Sequence, residues 1–590
     1  MSYDIISNRG YNLYYCGGKT LLKINKNFII ILFLAAITFL YTSILFGSNQ
    51  LALTSDSSFH FSRVEEIYHN LRGHHLLTFI ASYTFNHTGV GNFLFYPTVF
   101  LYPWAFLRFY FNPISAFFIW YGFFLFSTLT IAYYSMYSFS KNRGRSLIFA
   151  LIYTIAPYHL HLGLYNYVLG EFIAYTFVPL IFLGAYNVFW KNLKKWPQLA
   201  IGMSLLLYSH LLSVYLISMI LTGLVISKII IQRRFESERI LALCKSIGLT
   251  LLLSSFIIVP FVTDFIGQNL ASPKKGFDFL MSFNEMIVAS VSNTISINHS
   301  IGIIMLITAL LGWYFVKRSI VEKNIYIIGI IFLCLSTTLV PWGLLDHSHT
   351  ALNILGEIQF PYRFNTYSSF FLSITASLVL SQLLEQFKTN YLKKIAIISF
   401  VFLSIVGYYG SMQSIFDRIL AANQNYLLES KGDPIPLPIN ALVDKSNYNN
   451  IFSYLVLNGE TDYYPKYADK DTGSYNQSIY NNYVIIGKRE IKLVPKTVPN
   501  TIIYQVHKSG KEENINLPII DYNRTQVKLN NKRVTHTKSF RGTVEVKSAQ
   551  KNNKITVTYQ PSKLFYFSLF ISCLTWIVLI IRIFVGKLKK

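Results

Sequence analysis

Between Thr54 and His75 the chain reads TSDSSFHFSRVEEIYHNLRGHH, a short stretch that collects Asp56, His60, Arg63, Glu65, Glu66 and Arg72. Helical spacing puts Asp56, His60 and Arg63 at i, i+4 and i+7, on one face. Val64, Ile67 and Leu71 lie along or beside that face, so the helix can rest on a membrane surface with its polar groups directed into a cleft. A carboxylate, an imidazole and a guanidinium beside lipid can handle a hydroxyl and a phosphate. The carboxylate deprotonates the first, and the cations hold the second. The plainer alternative is that Asp56 caps a helix ahead of Ser57 and Ser58, with the other charges solvated.

Further ionisable residues fall near the ends of apolar runs. His159 and His161 flank Leu160, Glu171 stands in Leu169-Gly170-Glu171-Phe172, and His210 interrupts Leu207-Tyr-Ser-His210-Leu-Leu. Arg363 sits in Glu357-Ile-Gln359-Phe-Pro361-Tyr-Arg363-Phe. An ionisable group at membrane depth is costly, so it is either paired or functional. Each also has a structural reading. His210 would be a packed ring donating to a carbonyl, and His159 and His161 would lie in a wet loop. Glu171 would face the positive end of a helix dipole, and Arg363 would snorkel to the interface.

The elements that position these residues are transmembrane. Hydrophobic residues make up 52% of the 590-residue chain and charged ones 13%, a balance no soluble protein of this length keeps in solution. The apolar residues come in runs long enough to cross a bilayer. Those runs are 28–46, 114–139, 146–162, 172–190, two short spans within 197–231, 240–262, 301–316, 325–340, 365–384, 395–409 and 564–585. About twelve helical spans result, which makes the fold mainly α. The aromatic run 93–111 is broken by Pro97 and Pro103 and suits a re-entrant or interfacial piece. A long polar lead and no small-residue cleavage site make the first span a retained anchor rather than a signal peptide.

The net charge of +25 would suggest nucleic acid in a soluble chain. Here Lys and Arg gather in every second connection, which is the positive-inside pattern and calls for no nucleic-acid partner. It places both termini in the cytoplasm. On the outer side it places the Asp56 loop (47–113), Tyr158–Glu171, Asp264–Asn298, Pro341–Phe364 and 411–562. The chain then divides into a cytoplasmic segment 1–27, a transmembrane domain 28–410, an extracytoplasmic domain 411–562, and a last span with a basic tail, 563–590. The 411–562 segment is polar and rich in Asn, Lys and Tyr. Its alternating runs, 483–486, 501–506, 526–529, 542–546 and 554–559, are separated by turn signals such as Asn530-Asn531 and Asn552-Asn553. It reads as a small β-rich domain. Cys16, Cys244, Cys334 and Cys573 have no metal-ligand spacing, so neither a disulfide framework nor a zinc site is expected. High Ile, Lys, Asn and Tyr usage hints at an AT-rich bacterial genome.

The succession Asp56-Ser-Ser-Phe59-His60-Phe-Ser-Arg63, Ala156-Pro157-Tyr158, Gly170-Glu171-Phe172, Pro179-Leu180 and Gln359-Phe-Pro361-Tyr362-Arg363-Phe364 resembles the YfhO-like bacterial membrane proteins. These include the proteins labelled "6-pyruvoyl-tetrahydropterin synthase-related membrane domain". The tail Asn516-Leu-Pro518-Ile-Ile-Asp-Tyr522, Gly542 and Ile555-Thr-Val-Thr-Tyr559 also looks like that family's outer domain, so the resemblance covers nearly the whole chain. The family in turn looks like the GT-C glycosyltransferases, with many spans, an acidic residue in the first outer loop and a polyprenyl-phosphate sugar as donor. Asp56 matches that acidic position. This chain departs from its relatives at Tyr165-Asn166-Tyr167, where they often carry an Arg.

The resemblance implies an inverting transfer from a polyprenyl-phosphate-linked sugar to a cell-envelope acceptor (a glycolipid, teichoic acid, polysaccharide or protein) on the outer face of the cell membrane. Asp56 is then the base, with Glu171 orienting acceptor or sugar. Arg63, Arg363 and His60 hold the phosphate, and His159, His161 and His210 fall among the candidate substrate-binding groups. No nucleotide-binding loop is needed, and neither GxxxxGK[ST] nor GxGxxG occurs in a strand–helix context. No particular cofactor is implied, and a divalent metal held by Asp56 is an alternative to Asp56 as base. The rival functions are a lipid or polysaccharide transporter or flippase, which would place charges near the midplane and often show inverted repeats, and a non-catalytic envelope-assembly protein.

Overall fold

The computed structural model describes residues 13–16, 19–22, 26–233, 236–266, 268, 270–271, 277, 280–343, 356–456, 459–466 and 474–588. Within them every expected span is helical, from Lys26–Ser48 at the start to Lys563–Leu588 at the end. Among the described residues seven helices are long and apolar enough to cross a membrane, and nine if each of two bent pairs counts as one span. The difference from twelve is one of length. Ile303–Val316 has 14 residues, which span about 21 Å against a hydrocarbon core of about 30 Å. The two pieces within 197–231 are Pro197–Leu207 and Leu211–Gln232, and only the second is of full length.

The bends have local causes. Arg143–Thr154 meets Pro157–Tyr165 at 46°. There Pro157 disfavours helical geometry at Ala156, which is extended with ψ 128°. Ser237–Leu253 meets Ser255–Phe265 at 73°. Between residues 93 and 111 the chain forms only short helices, Asn92–Phe95, Val99–Leu101 and Tyr102–Leu107, with Tyr96 extended ahead of Pro97.

Leu169–Trp190 is the central helix: 89% of its apolar stretch is buried, against 11% for the last helix and 22% for Leu211–Gln232. Gly184 lets Pro197–Leu207 lie against it, since a Cβ there would overlap the backbone of Leu199. The peripheral helices present Phe39, Ile231, Phe402 and Phe570 outward. In water this would be an untenable surface, and in lipid it is the expected one. The chain is a multi-pass membrane protein.

At the end of the bundle that carries the basic connections, Arg145 forks onto Glu322 at 2.8 and 3.0 Å and reaches Ser377 at 3.3 Å, tying three helices together. At the other end lie the segments that the charge pattern groups on one side. Leu51–Leu53 pairs antiparallel with Ala441–Val443. Asn500 accepts from the Phe79 amide at 2.7 Å and donates to the Leu77 carbonyl at 2.8 Å. Arg524 pairs with Asp264 at 2.7 Å, and Asn365 donates to the Asn298 carbonyl at 3.2 Å.

Beyond the helix Asn390–Ala421 and a stretch of short turns, residues 483–559 form two five-stranded antiparallel sheets. One runs 532–534, 525–529, 552–559, 501–507, 496–498, and the other 537–538, 543–548, 513–520, 483–486, 489–492. Alternate residues such as Ile502, Tyr504, Val506, Val527, Ile555 and Val557 fill a separate core. All five strands read from the sequence are present. Asn530 and Asn531 make the left-handed hairpin turn, with φ of 49° and 67°. Asn552-Asn553 is not a turn. It opens the strand Asn552–Tyr559, where Asn553 is buried and donates to the Gln550 carbonyl at 3.0 Å.

Candidate active site

The stretch after Asp56 is a helix, Ser57–Arg72, but it does not lie on a surface: Ser57 through Ile67 are all buried. Glu66 explains this. Its carboxylate accepts from the Ser82, Tyr83 and Thr84 amides at 2.8 Å each, and from the Ser82 and Thr84 hydroxyls at 2.7 and 3.0 Å. The loop that follows is thereby folded over the helix. Glu65 pairs with Arg108 at 3.0 Å. Both acids are structural. Glu66→Ala, which strands two buried amides and a part-buried one, is expected to cost about 3 kcal/mol or more. A lowered unfolding temperature in detergent would show it, and an unchanged one would refute it.

Asp56 occupies the N-cap position of this helix, yet its carboxylate accepts no capping amide. Among the described residues its one hydrogen bond comes from the Ser55 hydroxyl at 3.3 Å. Ser55 is left-handed at φ 44°, a strained setting of the kind that collects at functional sites. Capping therefore does not account for Asp56. Desolvation raises its pKa to about 6, while Ser55 and the charge of Arg363 pull the other way and the nearby Asp462 adds to the rise.

His60 and Arg63 follow on the same face. His60 is buried, and its Nδ1 has no hydrogen-bond partner among the described residues. Burial, then the charge of Arg63 and the proximity of His210, holds its pKa well below the ordinary value, so the ring is neutral. Arg63 is fully buried. It donates through Nη2 to the Tyr96 and Pro97 carbonyls at 2.9 and 2.8 Å and lies 4.6 Å from the Tyr96 ring centre. Its Nε and Nη1 have no partner among the described residues. A buried guanidinium left with two open donors is an anion site in waiting.

Glu171 comes from the first turn of the central helix. Its Oε1 accepts from Tyr158 at 2.7 Å and Thr366 at 3.1 Å, and its Oε2 lies 3.6 Å from Arg363 Nε. Arg363 itself is buried and donates to the Ile358 carbonyl at 2.7 Å and to Gln359 Oε1 at 3.1 Å. It does not snorkel. Gly170 permits this closeness, because a Cβ there would collide with the Tyr96 hydroxyl and come within 3.0 Å of the His210 ring. His210 stacks edge-on to Tyr96, with ring centres 6.0 Å apart, and its Nδ1 meets the Ser213 hydroxyl at 2.8 Å rather than a carbonyl.

The structure thus brings together Asp56, His60, Arg63, Glu171, His210 and Arg363 around Tyr96. His159 and His161 are placed differently. Both are buried rather than in a wet loop, because the chain turns back into the bundle at Pro157. His159 is stacked between Phe172 and Tyr175, with centres at 4.8 and 4.2 Å, and its Nδ1 meets the Thr154 carbonyl at 2.8 Å. His161 Nδ1 meets the Ile295 carbonyl at 2.7 Å.

Several neighbours escaped the sequence reading. Tyr96, Tyr158 and Thr366 hold the charged groups but carry no charge themselves. Asp462, on the turn Thr461–Tyr463, lies 406 positions beyond Asp56 (462 − 56) and no spacing rule connects them. Arg418 donates to the Tyr165 carbonyl and to the Thr54 hydroxyl, the latter at 3.2 Å, two residues from Asp56. Tyr522 of the sandwich accepts from the Gly91 amide and donates to the Tyr463 carbonyl, each at 2.8 Å, bracing the turns on both sides of the site.

Chemically, the arrangement sets a carboxylate that can take up a proton near buried donors that can receive an anion. Among the described residues no group of three or more His, Cys, Asp or Glu is placed to hold a metal ion. Asp56 and Asp462 offer two carboxylates in the field of Arg363, too few for an all-protein cage, although one or two carboxylates with a substrate phosphate are what a magnesium ion uses.

No protein-family model and no curated protein matches the chain. Comparison with solved structures finds the arabinofuranosyltransferase AftD from Mycobacteria, with TM-score 0.44 and 11% identity over 73% of this chain and 31% of that one. It finds the apo Archaeoglobus fulgidus oligosaccharyltransferase, with TM-score 0.38 and 12% identity over 75% and 61% of the two chains. A third is ArnT from Cupriavidus metallidurans bound to undecaprenyl phosphate, with TM-score 0.29 and 8% identity over 73% and 86%. The chain spans about a third of the arabinofuranosyltransferase's length.

Proposed function

We propose that this protein is an inverting membrane glycosyltransferase of the GT-C type, which moves a sugar from a polyprenyl-phosphate carrier to a hydroxyl of a cell-envelope acceptor. One observation carries the reading. Asp56 sits at a helix N-cap without capping it, partly desolvated and within the field of Arg363.

In this reading Asp56 takes the acceptor's hydroxyl proton. The oxygen attacks the anomeric carbon as the bond to the carrier phosphate breaks, inverting that carbon, and the phosphate leaves on its lipid. Arg363 and the open donors of Arg63 stabilise the developing phosphate charge. His60, being neutral, contributes a hydrogen bond and no charge. Glu171 is already engaged by Tyr158, Thr366 and Arg363, so it is a positioning residue that aims the guanidinium. The donor phosphate enters from the bilayer, which suits a site at the end of the central helix. The purified protein should release lipid phosphate from a polyprenyl-phosphate sugar only when an acceptor is present. Sidedness-dependent uptake of the lipid into liposomes without release would instead make it a transporter, and binding of an envelope polymer with neither would leave an assembly protein.

From the charge pattern we further propose that the site and the sandwich lie outside the cell, with both termini in the cytoplasm. A cysteine introduced at Asn450 or Asn531 should react with an impermeant thiol reagent added to intact cells, and one at Asn390 should not. Labelling of the opposite set would reverse the orientation and put the site on the cytoplasmic face.

A further inference from the structure

A cavity of about 640 Å³ opens between the helices Pro113–Ser140, Arg143–Thr154, Leu169–Trp190, Leu211–Gln232, Ile320–Leu335 and Asn365–Glu385. It lies at the end away from Asp56. Glu171 and His210 stand at the starts of two helices whose last residues, Trp190 and Gln232, line it. Its size falls within the roughly 300–1,000 Å³ range of ligand pockets.

The lining is divided. Phe149, Phe182, Ile328, Phe370 and Ile374 make an apolar interior, whereas Lys191, Lys228, Asn324 and Gln232 gather where the helices end or begin. Among the described residues that line it there are two lysines and no carboxylate. Ile231 and Ile320 at the rim are 80% and 77% exposed, so the opening faces lipid rather than another helix. Lys228 is buried, with its ammonium donating to the Phe189 carbonyl. A cation at that depth beside an apolar void suits an amphiphile with a negative head, and basic pockets between transmembrane helices take anionic lipid headgroups.

We propose that this cavity holds one molecule of an anionic glycerophospholipid from the leaflet at that end. An acyl chain lies among Phe149, Phe182 and Phe370, and the phosphate lies against Lys191 and Lys228. A polyprenyl phosphate presenting its phosphate to Asp56 approaches at the opposite end of the same helices, so the two lipids occupy separate sites.

Native mass spectrometry of the purified full chain, with phosphatidylglycerol, phosphatidylcholine or undecaprenyl phosphate added at equal concentration, tests this. One phosphatidylglycerol should be retained in preference to phosphatidylcholine. Lys191→Gln, at an exposed position, should weaken that preference about five-fold, the effect of one surface lysine on an anionic lipid. Leu224→Trp, which fills the void from a half-buried position, should abolish retention while leaving lipid-phosphate release measurable. Equal retention of the two phospholipids overturns the proposal, as does retention unchanged in Leu224→Trp. Displacement of phosphatidylglycerol by undecaprenyl phosphate at this cavity would assign it to the carrier lipid and overturn it too. If Leu224→Trp does not fold, the Lys191→Gln comparison decides alone.

Discussion

Asp56→Asn is expected to lower sugar transfer by roughly 10²–10⁴-fold, the loss typical of a missing general base, in a protein at least as stable as its parent. The amide cannot take a proton. The stability effect follows from linkage. A carboxyl whose pKa rises on folding from 3.8 to about 6 favours the folded state below pH 3.8, and that advantage is lost as pH rises through 6. At pH 7 the ionised carboxylate is therefore a liability that Asn removes, and the unfolding temperature should hold or rise. In the parent, kcat/KM should fall about ten-fold per pH unit below 6 and level off above it. Asp56→Glu should recover little, since an added methylene misplaces the carboxylate beyond what such geometry tolerates. Full activity in Asp56→Asn, or a flat profile from pH 5 to 8, would remove Asp56 from the chemistry.

Arg363→Lys is expected to cost ten- to a hundred-fold in donor use, on the order of 2 kcal/mol of charge-assisted hydrogen bonding. The guanidinium reaches Ile358, Gln359 and Glu171 from one plane, and an ammonium cannot. Arg363→Ala should be worse in a second way. It leaves Glu171 buried opposite an empty place, and removing one partner of such a pair costs about 3–5 kcal/mol. Adding Glu171→Gln to Arg363→Ala should restore yield and thermal stability without restoring transfer. Recovery of activity in the double variant would mean that Arg363 serves folding alone.

Much of this architecture is written in the apolar runs, because a helix that must satisfy its backbone in lipid has few alternatives. The strands were equally legible where alternation was clean, as in Thr501–His507, with Ile502, Tyr504 and Val506 inward. Length was less legible: the run 301–316 reads as a span but folds as 14 residues beginning at Ile303. His159 and His161 misled because hydropathy does not report that Pro157 would turn the chain inward. In the site, Asp56, His60 and Arg63 declared themselves through helical spacing. Asp462, Thr366 and Tyr96 could not, since tertiary folding alone makes them neighbours. Glu65 and Glu66 looked as chemical as Asp56 from sequence, and only their partners show otherwise.

Tyr522 joins the Gly91 and Tyr463 turns, which sets a timetable for the newborn protein. It emerges 466 residues after Asp56 (522 − 56), roughly half a minute to a minute and a half later at about 5–20 residues per second. By the later part of that interval Asp56, Arg363 and the central helix have all been made, but the turns that frame them have no brace. Such long-range closure is slow and comes last. Fragments from ribosomes halted before residue 522 should therefore hold their helices without the tie between the Gly91 and Tyr463 turns, so the framing of the site waits until synthesis is nearly done.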